Sequence, residues 1–310
     1  MNDKLIANTV LMVRPAAFGF NVEAAESNKF QKEISTFNPV QIQELAELEF
    51  DNYVSTLRAH GIQVLVYNDL PDPFTPDAVF PNNWFSTCVH TKTIFTYPQK
   101  VSVRSRERRE DITEELKMRI GYSIDEGLLN NEIKGQALEG TGSLVLDHQN
   151  KIAYAALSPR TDEAVLDDWC SRSGFTKSAF KAYGDDGTLV YHTNVLMTMA
   201  DKYVIIALDT ITDQEERNVL VEQFNKTGKE IIEISIPQMN AFAGNMLQLV
   251  NDLDQECLVM SSSAFKSLTP DQIYTITKKH RNRIISVPIN VIETIGGGSA
   301  RCMIAEIFGT

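Results

Sequence analysis

Five short apolar segments recur along the chain at nearly even spacing, each preceded by a small or polar anchor residue. Asn83 precedes Trp84–Phe85–Ser86–Thr87–Cys88, Gly142 precedes Ser143–Leu144–Val145–Leu146, Asn194 precedes Val195–Leu196–Met197, and Asn245 and Cys302 continue the series. The anchors lie 59, 52, 51 and 57 residues apart. Such a period marks a chain of repeated supersecondary units, each too small to bury its apolar face alone. Each unit reads as strand, turn, second strand, helix and closing strand. In the third unit these are Val195–Met199, Tyr203–Leu208, a helix expected from about Asp213 to Phe224, and Ile231–Ser235. Asp213 is the expected N-cap, with Glu216 completing a capping box. The fourth unit repeats the plan with Cys257–Ser261, a helix opening at Thr269–Pro270, and Ile284–Pro288.

The fifth unit runs out after Phe308, and its missing half is found at the other end of the sequence. Thr9–Val13 reads as a strand, Val40–His60 as a helix with apolar residues at 42, 45, 48 and 57, and Ile62–Val66 as a second strand. Pairing the two ends would close the five units into a ring and remove sheet edges that would otherwise stand open. The expectation is therefore one α/β domain over residues 1–310, its last unit completed by residues 1–70 and 296–310. The stretch Phe18–Pro39 is too long for a plain connection and reads as a surface excursion of the kind that covers a site.

In a closed ring, equivalent positions face one axis. Asn83, Gly142, Asn194, Asn245 and Cys302, with their neighbours Glu139 and His192, are thus expected to converge although they lie far apart in sequence. A Cys, a His and a Glu in one cleft supply a nucleophile, an acid/base and an orienting carboxylate. Plainer roles stand beside these: a buried small hydrophobe for Cys302, as for Cys88 and Cys257, a turn histidine for His192, a loop carboxylate for Glu139 and a backbone brace for Asn245. His60, His90, His148 and His280 read as solvent or loop residues without a role, and Trp84 and Phe85 as core or pocket wall.

Charge and cysteine usage narrow the function further. With 29 basic and 41 acidic residues the formal charge is −12, which argues against a nucleic-acid partner. No run approaches the roughly 20 apolar residues of a membrane span, and Met1–Leu5 lacks the basic start of a signal peptide. A soluble, cytoplasmic protein is expected. Cysteines at 88, 170, 257 and 302 form no CxxC pair, and Asp185–Asp186–Gly187 reads as a turn without the further ligands of a calcium loop. Neither a metal nor an organic cofactor is expected. The oligomeric state stays open, a homodimer being one possibility.

Four strings then carry a resemblance: Pro76–Asp77–Ala78–Val79–Phe80–Pro81–Asn82–Asn83, Leu138–Glu139–Gly140–Thr141–Gly142, His192–Thr193–Asn194 and Gly297–Gly298–Ser299–Ala300–Arg301–Cys302–Met303. In order and spacing they resemble the guanidine-modifying, or pentein, superfamily of arginine deiminases, dimethylarginine dimethylaminohydrolases and amidinotransferases, and most nearly its citrulline-utilisation hydrolase branch. The resemblance implies a five-fold pseudosymmetric α/β-propeller and covalent catalysis. Cys302 would attack the central carbon of a guanidino or ureido group, His192 would protonate the leaving amine and later activate water, and Glu139 would hold the substrate's nitrogens and the histidine. It also implies substrate contacts from Asp77, Asn82, Asn83 and Asn194, with Arg160 on a substrate carboxylate, a task suited to a planar guanidinium. The basic run Arg104–Arg109 would add a second such contact, with Arg108 the candidate. A thiolate would need a cationic neighbour or substrate, and Arg301 is expected to point away from it.

The departures from the resemblance bear on the substrate. Where arginine deiminases carry acidic residues, this chain has Asn83, Gly142 and Asn194. A neutral ureido group offers a carbonyl that wants donors and an amide that wants acceptors, and asparagine supplies both. Citrulline, hydrolysed to ornithine, is the expected substrate. Asp77 keeps dimethylarginine dimethylaminohydrolase, arginine deiminase and amidinotransferase activities open, and a non-catalytic binding propeller is the remaining alternative.

Overall fold

The computed structural model describes residues 5–309, whose strands fall into five separate three-stranded sheets. The first sheet holds β1 (Thr9–Arg14) and β2 (Gln63–Asn68). The second holds β3 (Phe85–Cys88), β4 (Thr93–Thr96) and β5 (Ser123–Asp125). The third holds β6 (Val145–Asp147), β7 (Ile152–Ala156) and β8 (Thr176–Phe180). The fourth holds β9 (Met197–Met199), β10 (Tyr203–Ile206) and β11 (Glu230–Glu233), and the fifth β12 (Leu247–Val250), β13 (Glu256–Ser261) and β14 (Arg283–Val287). The last strand, β15 (Ala305–Ile307), returns to the first sheet and pairs antiparallel with β1, Thr9 opposite Ile307.

Every sheet has the same wiring. A central strand pairs antiparallel with one short neighbour and parallel with the other, as β10 does with β9 and β11 and β13 with β12 and β14. A hairpin turn suffices for the antiparallel partner, whereas the parallel one needs a crossover. Helices supply it: Pro39–Ala59, Glu110–Ile120, Glu163–Ser173, Gln214–Lys226 and, in the last sheet, Pro270–Tyr274 with its continuation. The central strands are covered on both faces, which is why β10 and β13 read as unbroken buried runs.

Local chemistry sets the ends of these helices. Asn38 and Gln41 form a reciprocal capping box with Pro39 in the first turn, and Thr269 and Gln272 repeat it. Asp213 caps its helix by accepting from the backbone of Glu215 and Glu216, but the Glu216 carboxylate takes the amide of Lys181 at 2.8 Å, so no capping box closes there. The buried stripe of Pro39–Ala59 is Ala46, Phe50, Tyr53, Val54 and Leu57, not the series expected from 42, 45 and 48. Steps of three drift around a helix with 3.6 residues per turn, and Leu48 ends up 66% exposed.

The anchors also sit differently from expectation. Each lies on a short turn ahead of the inner strand: Pro81–Asn83, Gly140–Ser143 and Thr193–Leu196 are single helical turns, so Val195 and Leu196 are not strand. Three or four apolar residues carry no readable period. What shapes the turns is the neighbouring unit. Thr193 Oγ1 donates to Ser143 O at 2.6 Å, Asn245 Nδ2 to Asn194 O at 2.8 Å, and the Arg301 amide to Asn245 Oδ1 at 3.0 Å. Gly140 sits at φ +47°, with its Cα so close to the preceding turn that a Cβ would lie 2.2 Å from Asn82 O. Turn thus stacks on turn, and the anchors are drawn together.

Two smaller expectations fare differently. Asp185–Asp186–Gly187 is a turn, with Gly187 at φ +74° donating to Gly184 O. His148 is buried rather than exposed, packed against Phe175 and Phe308, because its loop is roofed by the end of the chain, and burial pushes its pKa down.

Candidate active site

Cys302 lies in a turn between the helix Asn290–Gly296 and β15, its amide donating to Ser299 O at 2.9 Å. The thiol is buried, at 3% exposure. Two side-chain amides point at it: Asn245 Nδ2 at 3.3 Å and Asn194 Nδ2 at 3.5 Å. Arg301 turns away to Glu306 at 2.9 Å and Ile304 O at 2.8 Å. Turn geometry rather than strand alternation separates the two side chains.

His192 shares a small cavity with Cys302. Its Nε2 is 2.8 Å from Glu139 Oε2, and Glu139, fully buried, also accepts the Lys100 amide at 3.0 Å. Burial alone would raise the Glu139 pKa. Arg160 at 3.3 Å, the His192 hydrogen bond and Arg104 at 3.9 Å outweigh it and hold the carboxyl well below its usual range. For His192 burial wins over the pull of Glu139 and takes the pKa down to about 4. The resting imidazole is therefore neutral, able to accept a proton.

Two buried arginines complete the electrostatics. Arg104 makes a bidentate pair with Glu107, donates to Asn83 Oδ1 at 2.7 Å and lies 3.9 Å from Asp77. Burial raises Glu107 to about 7 despite that pairing, and raises Asp77 against the opposing charge of Arg104. Arg160 stacks over the Tyr191 ring, 5.2 Å from its centroid, and its Nε–Nη2 edge donates to Ser27 Oγ at 3.0 and 2.8 Å and to Ala24 O at 2.9 Å.

Those last partners belong to the 18–39 segment, which lies over the cavity. Asn21 donates to Asp77 Oδ2 at 2.6 Å, Gln31 Nε2 to Gly296 O at 3.0 Å, and Lys29 pairs with Asp186. With the segment in place the cavity in front of the thiol measures about 10 Å³, room for one water.

The residues expected from sequence divide into three groups. Cys302, His192, Asp77, Asn83 and Arg160 line one cavity, with Glu139 directly behind the histidine. Asn194 touches the sulfur from behind, and Asn82 is turned to Thr141 Oγ1 at 3.2 Å, neither forming a cavity wall. Arg108 is not brought to the site: its guanidinium is taken up by Glu132 and Tyr97 O on the half-exposed side of the basic run. Arg104, in the helical turn Ser102–Ser105, is the arginine of that run that reaches the cavity. Tyr191, donating its hydroxyl to Gly297 O at 2.7 Å, is a wall that the sequence signalled only by its place beside His192. Among the described residues no group of three or more His, Cys, Asp or Glu could hold a metal ion, and no helix is long and apolar enough to cross a membrane.

Among solved structures the fold is similar to the substrate-bound N-terminal domain of ArgZ, an arginine dihydrolase of the ornithine-ammonia cycle in Cyanobacteria, with a TM-score of 0.74 and 15% identity over 96% of this chain and 97% of that one. Unliganded AgrE matches with a TM-score of 0.71 and 17% identity over 96% of this chain and 39% of that one. A dimethylarginine dimethylaminohydrolase carrying an S-methyl-L-thiocitrulline adduct matches with a TM-score of 0.67 and 15% identity over 97% of this chain and 100% of that one. At such identities the likeness is one of fold. A search of curated proteins found no match. Residues 14–309 match the family described as N,N dimethylarginine dimethylhydrolase, eukaryotic, and the chain belongs to that family, within the guanidine-modifying pentein superfamily.

Proposed function

We propose that residues 1–310 form a single five-bladed α/β-propeller that hydrolyses a C–N bond of a ureido or guanidino amino acid through a covalent adduct on Cys302, with citrulline the preferred substrate. The observation that carries the choice of a neutral group is the charge already present. Asp77, Glu107 and Glu139 are buried beside the cavity, and Arg104 and Arg160 stand among them as counterions. A guanidinium substrate would enter carboxylates that already have cationic partners, and an ion losing its water needs a free one. A ureido oxygen needs an N–H donor instead, and Asn83 Nδ2 is a buried donor without a partner at the cavity wall.

The chemistry follows from the resting protonation. As the sulfur adds to the ureido carbon, the thiol proton passes to neutral His192. The bond from that carbon to the δ-nitrogen breaks while the imidazolium returns the proton to the departing amine, releasing ornithine. Water, losing a proton to His192, adds to the S-carbamoyl carbon, the thiol is expelled, and the carbamic acid falls apart to carbon dioxide and ammonia. Glu139 steadies the imidazolium formed at each step. For the substrate to enter, the 18–39 segment leaves Arg160, and the substrate carboxylate takes the two-donor edge now held by Ser27 and Ala24.

Mass spectrometry of protein trapped with citrulline, arginine or methylated arginines tests this reading. A carbamoyl adduct on Cys302 and ornithine in solution are expected from citrulline, and the Cys302→Ala protein forms neither. Conversion of arginine to citrulline with citrulline itself inert would overturn it. Hydrolysis of arginine or a methylated arginine is the second reading, favoured by the family match and by Asp77 at the cavity wall.

A further inference from the structure

A nucleophilic thiol inside a protein needs something to hold its charge once the proton has gone, and the usual device is a cation in contact. Here the cations are engaged elsewhere. Arg301 is paired with Glu306, Arg104 with Glu107, and Arg160 with Glu139. Asp77 brings no cation to the cavity, and the His192 ring is held through Nε2 by Glu139. Tyr53 and Tyr191 offer the sulfur no donor, since their hydroxyls are spent on Ala300 O and Gly297 O. Among the described residues, the hydrogen-bond donors at Cys302 Sγ are the side-chain amides of Asn194 and Asn245.

The orientation of Asn245 is dictated by its other contacts. Its Oδ1 accepts the Arg301 amide at 3.0 Å and, in the resting state, the Cys302 thiol at 3.7 Å, so that end is the carbonyl. Its Nδ2 donates one hydrogen to Asn194 O at 2.8 Å and turns the other to Sγ at 3.3 Å. A flipped amide would set N–H against N–H and oxygen against oxygen. The asparagine is also fully buried, so its donor is held in place without water to compete.

We propose that Asn245, assisted by Asn194, is a catalytic residue that stabilises the Cys302 thiolate by a neutral amide donor in place of a contacting cation. This deepens the reading of Cys302 as the nucleophile and rests on it. It fits a neutral substrate, because a site whose ligand brings no positive charge cannot borrow the ligand's charge to ionise its thiol. A hydrogen bond to an ion is among the stronger kinds, and losing it is expected to lower the thiolate population at neutral pH about tenfold.

The test is a titration of thiolate ultraviolet absorbance, wild type minus Cys302→Ser, repeated in Asn245→Asp and Asn245→Ala backgrounds with folding checked by circular dichroism. Asn245→Asp keeps the acceptor for the Arg301 amide while removing the donors, so it leaves a variant able to overturn the proposal if the alanine protein does not fold. Both variants are expected to ionise Cys302 at higher pH than wild type, and Asn245→Asp furthest because it adds a carboxylate. A folded Asn245→Asp protein whose thiolate titrates as in wild type overturns the proposal. Because no substrate is present, a failure to hydrolyse citrulline would count against the proposed reaction and leave this result standing.

Discussion

Gly142→Ala adds one methyl group at the point where the His192 ring and the Asn83 side-chain amide meet. Its Cβ would lie 2.8 Å from Cε1 and Nδ1 of His192 and 2.5 Å from Asn83 Nδ2, where ordinary contact begins at 3.4 Å. The ring must therefore retreat by roughly 0.6 Å and the amide by roughly 0.9 Å. Neither is free to do so, since His192 is tied to Glu139 at 2.8 Å and Asn83 to Arg104 at 2.7 Å. Overfilling a packed interior costs about 1–3 kcal/mol of stability. A displacement approaching 1 Å at an acid/base group lowers turnover by up to about 100-fold. Initial rates of product release at saturating substrate, with urea unfolding of the same preparations, measure both effects. In Asn83→Ala/Gly142→Ala the nearer obstruction is gone, so stability should recover while turnover stays low. A folded Gly142→Ala protein with wild-type kcat would refute the reasoning.

Acid sensitivity is expected from the same pair. His192 has a folded pKa of about 4 against an ordinary 6.5, so between these values the unfolded chain binds a proton that the folded one does not. The stability it contributes is fully present above about 6.5 and is lost as pH falls towards about 4, and His192→Gln should flatten that part of a urea-midpoint profile. Glu139, held low by its cations, adds its loss only below the ordinary carboxylate range. The acid limb of kcat/KM should accordingly lie near 4, and a limb at 6.5 would contradict the depressed pKa of His192. Arg104 and Arg108 of the basic run should separate cleanly. Arg104→Leu strands buried carboxylates and is expected to cost about 3–5 kcal/mol, part of it recovered by adding Glu107→Leu. Arg108→Ala removes a half-exposed pair worth less than about 1 kcal/mol and leaves KM unchanged. Denaturant unfolding and KM check both, and equal effects would reverse the assignment.

Why Arg104 and not Arg108 reaches the cavity was not readable from a run of basic residues four apart. The difference is set by the turn Ser102–Ser105, by Glu107 holding Arg104 inward, and by Glu132, from a separate segment, drawing Arg108 out. The short turns carrying Asn83, Gly142 and Asn194 escaped the same kind of reading. Three or four apolar residues have no period, and the hydrogen bonds that shape each turn come from the next unit.

The spacing of five anchors, and a fifth unit whose halves lie at opposite ends of the chain, by themselves determined the repeated sheets and the pairing of β1 with β15, because both depend on apolar pattern and connectivity. The same pattern named Cys302, His192 and Glu139 as neighbours. Tertiary structure alone decided what surrounds them: which arginines neutralise the buried carboxylates, that the 18–39 segment occupies the free edge of Arg160, and that Asn245 turns an N–H to the sulfur. Those are matters of distance and orientation between residues as many as 136 positions apart, and no local rule of sequence carries them.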